Sequence, residues 1–419
     1  MSRILSSRLV RTAVATAAAT SALFAASAAQ AAVAPAIDRT FGAPTPNAEP
    51  DSFYTPPSPL PAGNPGDVLR ARPAKAGPPT ARSLANAWQV MYLSTDALGR
   101  PDAVTGTILV PKAATDPSKL NIVGLAPGTT GPAFRCTVSR FINSGSFYEQ
   151  AIVNGLLKAG YAVAVTDYEG YKENPTTSYI VGKSMGPALL DVLRAAQRLP
   201  ESGLSATAKV ATQGFSQGGG ASMWAGQLQP TYAPELNLVG VSAGGVPADL
   251  VQVSLGLNGK PAFGFLLDAL IGLNNAYPEL LLDSYLNDNG RATVAEMAAD
   301  DCTLELLVDY QNKTTNEYLS TVPFLKPAWL ARLNENKLGA TKIDVPVYQY
   351  HADNDPIVRY DQAVVLRDKY CALGVTLSFK TFDTGHVTTV ARGNADALAF
   401  LADRFAGKPA ASTCAPQAQ

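Results

Sequence analysis

From Ala87 onward the chain sets short apolar runs between stretches of helical spacing. "AWQVMYLS" alternates and predicts a strand, "TDALGRP" a turn, and "AVTGTILVP" a second strand, so the pair predicts an antiparallel hairpin. "LNIVGLAPG" is continuously apolar up to Pro127-Gly128, as expected of a strand buried on both faces. "SFYEQAIVNGLLKAG" has helical spacing and stops at Gly160. "YAVAVTDY" predicts the next buried strand, and "GPALLDVLRAAQRLP" a helix stopped by Pro200. "KVATQG" and "NLVGVSAGG" predict two more strands, separated by the helical stretch "QGGGASMWAGQLQ". Further on come the strand "DVPVYQYHADND", the helix "YDQAVVLRDKYCALG", the strand "TLSFKTF" and a last helix from about Gly393 to Phe405. Alternating strands and helices with apolar strands predict an α/β fold: a mostly parallel sheet flanked by helices, opened by an antiparallel hairpin.

The spacing fails once. Roughly a hundred residues separate "VSAGG" from "IDVPVYQY", where a strand–helix–strand connection needs a few tens. The gap holds several helical patterns, among them "PAFGFLLDALIGL", "VAEMAADDCTLELLVDYQ" and "PAWLARLNENKLG", and predicts an inserted helical cap. Before the hairpin, Phe41 to about Pro79 is proline-rich, yet "DSFY" and "GDVLRARP" carry side chains worth burying, so an extended segment wrapped over the core is expected. The expected organisation is a leader (1–31), a proline-rich wrap (32–82), a core in two pieces (83–244 and 336–408), a cap (245–335) and a tail (409–419).

The leader follows from Arg3, Arg8 and Arg11, an alanine-rich apolar stretch, and Ala29-Gln30-Ala31, a small-x-small cleavage site. That stretch is short and weak against the roughly 20 apolar residues of a membrane span, so a mature chain starting near Ala32 outside the cell is expected. Export makes the four cysteines, Cys136, Cys302, Cys371 and Cys414, candidates for two disulfides, with three connectivities open. They lack the close pairs of a zinc site. Charge excludes a nucleic-acid footprint: 33 basic residues face 34 acidic ones, for a net charge of -1.

Gly214-Phe215-Ser216-Gln217-Gly218 fits G-x-S-x-G between a predicted strand and a predicted helix, the setting of a nucleophile elbow. A phosphate loop would need a following Lys-Ser or Lys-Thr, which the sequence lacks. The chain has only two histidines. His386 lies just after the last strand, where the order Ser, Asp, His puts the base. His351 ends the preceding strand and suits a structural or hydrogen-bonding place. Asp353, Asp355 and Asp383 are the nearby acids; Asp355, before Pro356-Ile357-Val358, suits a carboxylate held in a tight turn and aimed at the histidine. Ser216, His386 and Asp355 therefore predict acyl transfer through a covalent intermediate. One oxyanion donor is expected from the Gln217 N–H, and another from Gly128 or Thr129, whose hydroxyl would add a third. No cofactor and no metal are implied.

These motifs, with "PTYAPEL", "GGVPADL" and "YHADNDPIVRYDQA", make nearly the whole mature chain resemble the secretory lipase family of bacteria and fungi. The resemblance implies an α/β-hydrolase core, a helical cap over an acyl site, and release of fatty acid from triacylglycerols or simpler esters. It carries the family's serine, aspartate and histidine onto Ser216, Asp355 and His386. It also implies pairing of Cys136 with Cys302, leaving Cys371 with Cys414. The family's fungal lipases carry an acidic residue in the oxyanion loop, where this chain has "PGTTG". The expected partner is a lipid or small ester, met through transient contact of the cap with a lipid interface. Two other functions fit the same sequence: a short-chain or non-lipid esterase or acyltransferase on the same triad, and a catalytically silent binding protein on this fold.

Overall fold

The computed structural model describes residues 51–414; the expected leader, the first part of the proline-rich segment and the end of the tail lie outside the described residues. Nine strands form one sheet: β1 (Val68–Ala74), β2 (Ala85–Thr95), β3 (Pro101–Pro111), β4 (Ile122–Ala126), β5 (Ala162–Thr166), β6 (Lys209–Phe215), β7 (Asn237–Gly244), β8 (Val347–Ala352) and β9 (Leu377–Phe382). Their order is β1-β2-β3-β5-β4-β6-β7-β8-β9. The pairs from β1 to β5 are antiparallel, and those from β5 to β9 are parallel. The strand order turns back at β4, between β5 and β6, and open α/β sheets bind ligands at the carboxyl ends of strands at such a switch point.

The hairpin of β2 and β3 agrees with its pattern. The wrap does more than drape: its "VLRARPA" is β1, an edge strand paired with β2. Pro73 is tolerated there because an edge strand has N–H groups facing away from the ladder. Tyr54 anchors the segment ahead of it, 1% exposed and hydrogen-bonded through its hydroxyl to Ser139 Oγ at 2.9 Å.

Twelve helices are described: α1 (Pro79–Arg82), α2 (Val138–Ser144), α3 (Gln150–Lys158), α4 (Gly182–Arg198), α5 (Gln217–Tyr232), α6 (Leu250–Leu257), α7 (Gly264–Ala276), α8 (Asp288–Asp300), α9 (Thr303–Val308), α10 (Pro327–Glu335), α11 (Tyr360–Ala372) and α12 (His386–Phe405). Apolar positions of α4, α5 and α11 cover one face of the sheet. Those of α2, α3 and α12 cover the other. The insertion between β7 and β8, α6 to α10, has its own core built on Phe263, Leu266, Tyr277 and Trp329, joined by Ile180 and Val181. Among the described residues no helix is long and apolar enough to cross a membrane.

The last helix begins at His386, seven residues earlier than the spacing predicts. "HVTTV" is β-branched and reads poorly as helix. Thr389 closes that first turn instead: it is fully buried, and its hydroxyl donates to the Gly385 carbonyl at 3.0 Å. α2, absent from the pattern, is a two-turn helix ended by Gly145 at φ +88°. A left-handed C-cap of this kind is glycine's place.

Candidate active site

Ser216 joins the end of β6 to the start of α5 with φ 57° and ψ -121°. A non-glycine residue at positive φ is strained and persists only where its surroundings hold it. Here the Ser216 N–H donates to the Gly244 carbonyl at 2.9 Å, and the Ser216 carbonyl accepts from the Gly220 N–H at 3.0 Å. The glycines around it serve close approach. A Cβ on Gly218 would lie 1.9 Å from the Ala126 carbonyl oxygen, and one on Gly219 2.2 Å from that of Gly244. The first turn of α5 is thereby wedged between the ends of β4 and β7.

His386 is the first residue of α12, and its Nδ1 lies 2.5 Å from Asp355 Oδ2. With Asp355 ionised, Nδ1 carries the proton and donates it to that bond. The imidazole packs on the Phe215 ring, centroids 4.8 Å apart, beside the serine. Asp355 sits in the turn after β8, and its Oδ1 accepts the N–H groups of Ile357 at 2.9 Å and Val358 at 2.8 Å. Burial opposes its charge. The charge of His386 and the hydrogen bonds from His351 and His386 outweigh burial and hold the carboxyl well below the usual range. Asp353 and Asp383 are exposed, and Asp353 accepts the side-chain amide of Asn354.

His351, fully buried, stands behind this pair. Its Nε2 is 2.8 Å from the Val358 carbonyl and 3.3 Å from Asp355 Oδ2. Both acceptors require Nε2 to carry the proton. One carboxylate is thus shared by the only two histidines of the chain.

The loop after β4 crosses directly over the elbow. Tyr168 donates to the Pro127 carbonyl at 2.7 Å, Tyr148 to that of Thr129 at 3.2 Å, and Tyr171 to that of Gly131 at 2.7 Å. From the insertion, the Thr303 hydroxyl also donates to the Thr129 carbonyl, and the Thr303 N–H to that of Thr130 at 3.0 Å. The Gly128 N–H, one of the two sequence candidates for an oxyanion donor, is already committed: it donates to Glu149 Oε2 at 3.2 Å. Burial pushes Glu149 up to about 8, although the Gly128 N–H pulls the other way. The Thr129 N–H has no acceptor among the described residues. The Gln217 N–H opens the first turn of α5, where no helical carbonyl can accept it. The Thr129 hydroxyl pairs with the Tyr179 hydroxyl at 2.9 Å.

A groove that includes Ser216 lies between the insertion and the loops carrying Tyr179 and Ile357. Leu250, Val253 and Leu257 of α6, Phe265 and Leu273 of α7, and Ile357 beside Asp355 make it apolar, with Tyr179 and Ser254 among its few polar groups. Two disulfides hold the frame: Cys136–Cys302 ties the stretch after the β4 loop to the insertion, and Cys371–Cys414 ties α11 to the tail. Sequence reasoning missed Glu149, Tyr148, Tyr168 and Thr303. None lies near a recognisable motif: Tyr148 and Glu149 reach the site from the segment entering α3, Tyr168 from the loop after β5, and Thr303 from the start of α9.

Residues 139–413 match the family described as Secretory lipase. The chain belongs to the secretory lipase family. Lipase 6 of Candida albicans is 30% identical over 394 residues, covering 87% of this chain and 83% of the relative. A secreted triacylglycerol lipase of Malassezia furfur is 30% identical over 385 residues, covering 87% and 77%. Among solved structures, Candida antarctica lipase A superposes with a TM-score of 0.79 at 26% identity over 87% of each chain. An esterase of Xanthomonas oryzae, at 19% identity and a TM-score of 0.64 over 82% of this chain and 98% of its own, shares the fold. This secretory lipase is a secreted serine ester hydrolase with an α/β-hydrolase fold.

Proposed function

We propose that this secretory lipase hydrolyses lipid acyl esters, triacylglycerols foremost, with Ser216 as nucleophile, His386 as base and Asp355 as its orienting acid. The observation that carries the reading is the strained serine at the mouth of an apolar groove, beside an imidazole whose Nδ1 is bound to a buried carboxylate. With Nδ1 engaged, Nε2 is the basic nitrogen of His386. It takes the Ser216 proton as Oγ attacks the ester carbonyl. The tetrahedral oxyanion is held by the N–H groups of Gln217 and Thr129, the free donors on either side. The imidazolium then protonates the departing alcohol, leaving an acyl-enzyme. Water, deprotonated by the same nitrogen, releases the fatty acid. Asp355 keeps the imidazole in the required tautomer and stabilises its charged form.

The insertion, residues 245–335, acts as a cap over the acyl chain. Leu255, Leu281, Val308 and Leu325 on it are half or more exposed, which supports contact with a lipid surface during delivery of substrate. The names of the relatives support triacylglycerol as the substrate class. A fluorophosphonate probe tests the nucleophile. Stoichiometric labelling of the folded protein, lost in Ser216→Ala, is expected; an unlabelled folded wild type rejects the reading.

A further inference from the structure

The loop that carries Thr129 is clamped by two separate parts of the chain. On the core side, Glu149 accepts from Gly128 and Tyr168 donates to Pro127, which fixes the peptide plane between residues 127 and 128. On the other side, the plane between residues 129 and 130 is fixed by its carbonyl, bound by Tyr148 of the core and Thr303 of the insertion. The plane between them contains the Thr129 N–H and has no hydrogen bond of its own among the described residues. Its tilt is set only by its two neighbours. One of its flanking residues is Gly128, which restrains the backbone least of all residue types.

The insertion meets this loop backbone to backbone. A Cβ on Gly131, at φ +103°, would lie 2.5 Å from Cys302 Cα. The Ala133 N–H donates to the Asp301 carbonyl at 3.3 Å, and Cys136 is bonded to Cys302. The segment is itself held at its helix start, where the Cys302 N–H donates to Glu305 Oε2 at 2.9 Å. Arg135 adds ion pairs to Asp300 at 2.8 Å and Glu305 at 3.1 Å. Thr303 therefore reaches the loop from a fixed base.

We infer that Thr303 is a positioning residue for catalysis: its hydroxyl and N–H, supplied by the insertion, set the tilt of the peptide whose Thr129 N–H receives the oxyanion. This rests on the reading of Ser216 and Thr129 given above. The oxyanion hole is then completed by the insertion and not by the core alone. Oxyanion donors act on the transition state more than on bound substrate, so a mis-tilted donor lowers kcat and leaves KM nearly unchanged.

The test compares Thr303→Val, which keeps the shape and loses the hydroxyl, with Thr303→Ser, which keeps the hydroxyl. A soluble ester gives kcat and KM, and thermal unfolding gives stability. For Thr303→Val, kcat is expected to fall about tenfold or more, with KM within about twofold and the fold intact. Thr303→Ser restores kcat. A folded Thr303→Val with wild-type kcat, or a kcat loss that serine does not restore, overturns the inference. Thr303→Ala, read the same way, replaces a valine variant that does not fold; if neither folds, Thr303 serves the fold and the inference falls. Ser216→Ala is run alongside. Its inactivity beside a wild-type-like Thr303→Val sinks only the role of Thr303, whereas an active Ser216→Ala sinks the underlying reading.

Discussion

Asp355 holds two imidazoles and two backbone amides with one buried carboxylate. Replacing it with asparagine keeps the volume and removes the charge that fixes the Nδ1–H tautomer of His386. Asp355→Asn is expected to lower kcat by about 10⁴-fold, measured on any soluble ester, while the protein still folds. Glu149 responds in the opposite sense. Its folded value, raised to about 8 by burial, lies above the ordinary 4.5. A carboxyl raised on folding favours the folded state below its unfolded value, and that contribution is lost as pH rises through the folded one. Glu149→Gln keeps an acceptor for Gly128 and cannot ionise. Wild type should therefore lose melting temperature relative to Glu149→Gln as pH climbs from about 4.5 to about 8. Parallel melting curves across that range would refute this attribution. At this scale Ser216, His386 and Asp355 were legible because the chain offers two histidines and one order of motifs. Glu149 and Thr303 were not, because their partners are backbone groups far away in sequence, and a hydrogen bond between distant residues leaves no periodicity.

The elbow is an element-scale device, and it separates glycines that look alike in "QGGGAS". A Cβ on Gly218 meets the Ala126 carbonyl oxygen at 1.9 Å, whereas one on Gly220 meets only side-chain atoms of Pro247 and Met185, the nearest at 3.5 Å. Gly218→Ala must push α5 off β4 and is expected to cost about 3 kcal/mol or more, together with most of the activity. Gly220→Ala is expected to be tolerated or to stabilise by up to about 1 kcal/mol, since alanine is the better helix former. Denaturant titrations of the two variants check the contrast. The sequence pattern identified this strand, turn and helix but not which glycines matter, because that depends on the neighbouring strands β4 and β7. The same limit explains α12. Its β-branched start argues against helix locally, and the buried Thr389 side chain overrides that preference. In the wrap, β1 was hidden by prolines that an edge strand accommodates.

Across the whole molecule the decisive feature is the insertion between β7 and β8, legible from the length of the gap between two predicted strands because no single crossover helix needs so many residues. Its apolar residues serve a private core and the groove at Ser216 together, Leu250, Leu257, Phe265 and Leu273 belonging to both, and that double role is invisible in a hydrophobic run such as "AFGFLLDALIGL". The groove is the physical ground for expecting long acyl chains: each buried methylene adds about 0.8 kcal/mol of binding, which an enzyme can use only if the groove follows the chain. The most direct measurement is the rate of hydrolysis across esters from acetyl to oleoyl, including a triacylglycerol emulsion, for wild type beside Ser216→Ala. We expect kcat/KM to rise from acetyl to long-chain esters, the emulsion to be hydrolysed, and every one of these rates to be lost in Ser216→Ala. Hydrolysis confined to acetyl and butyryl esters, or activity that survives Ser216→Ala, would refute the proposed function.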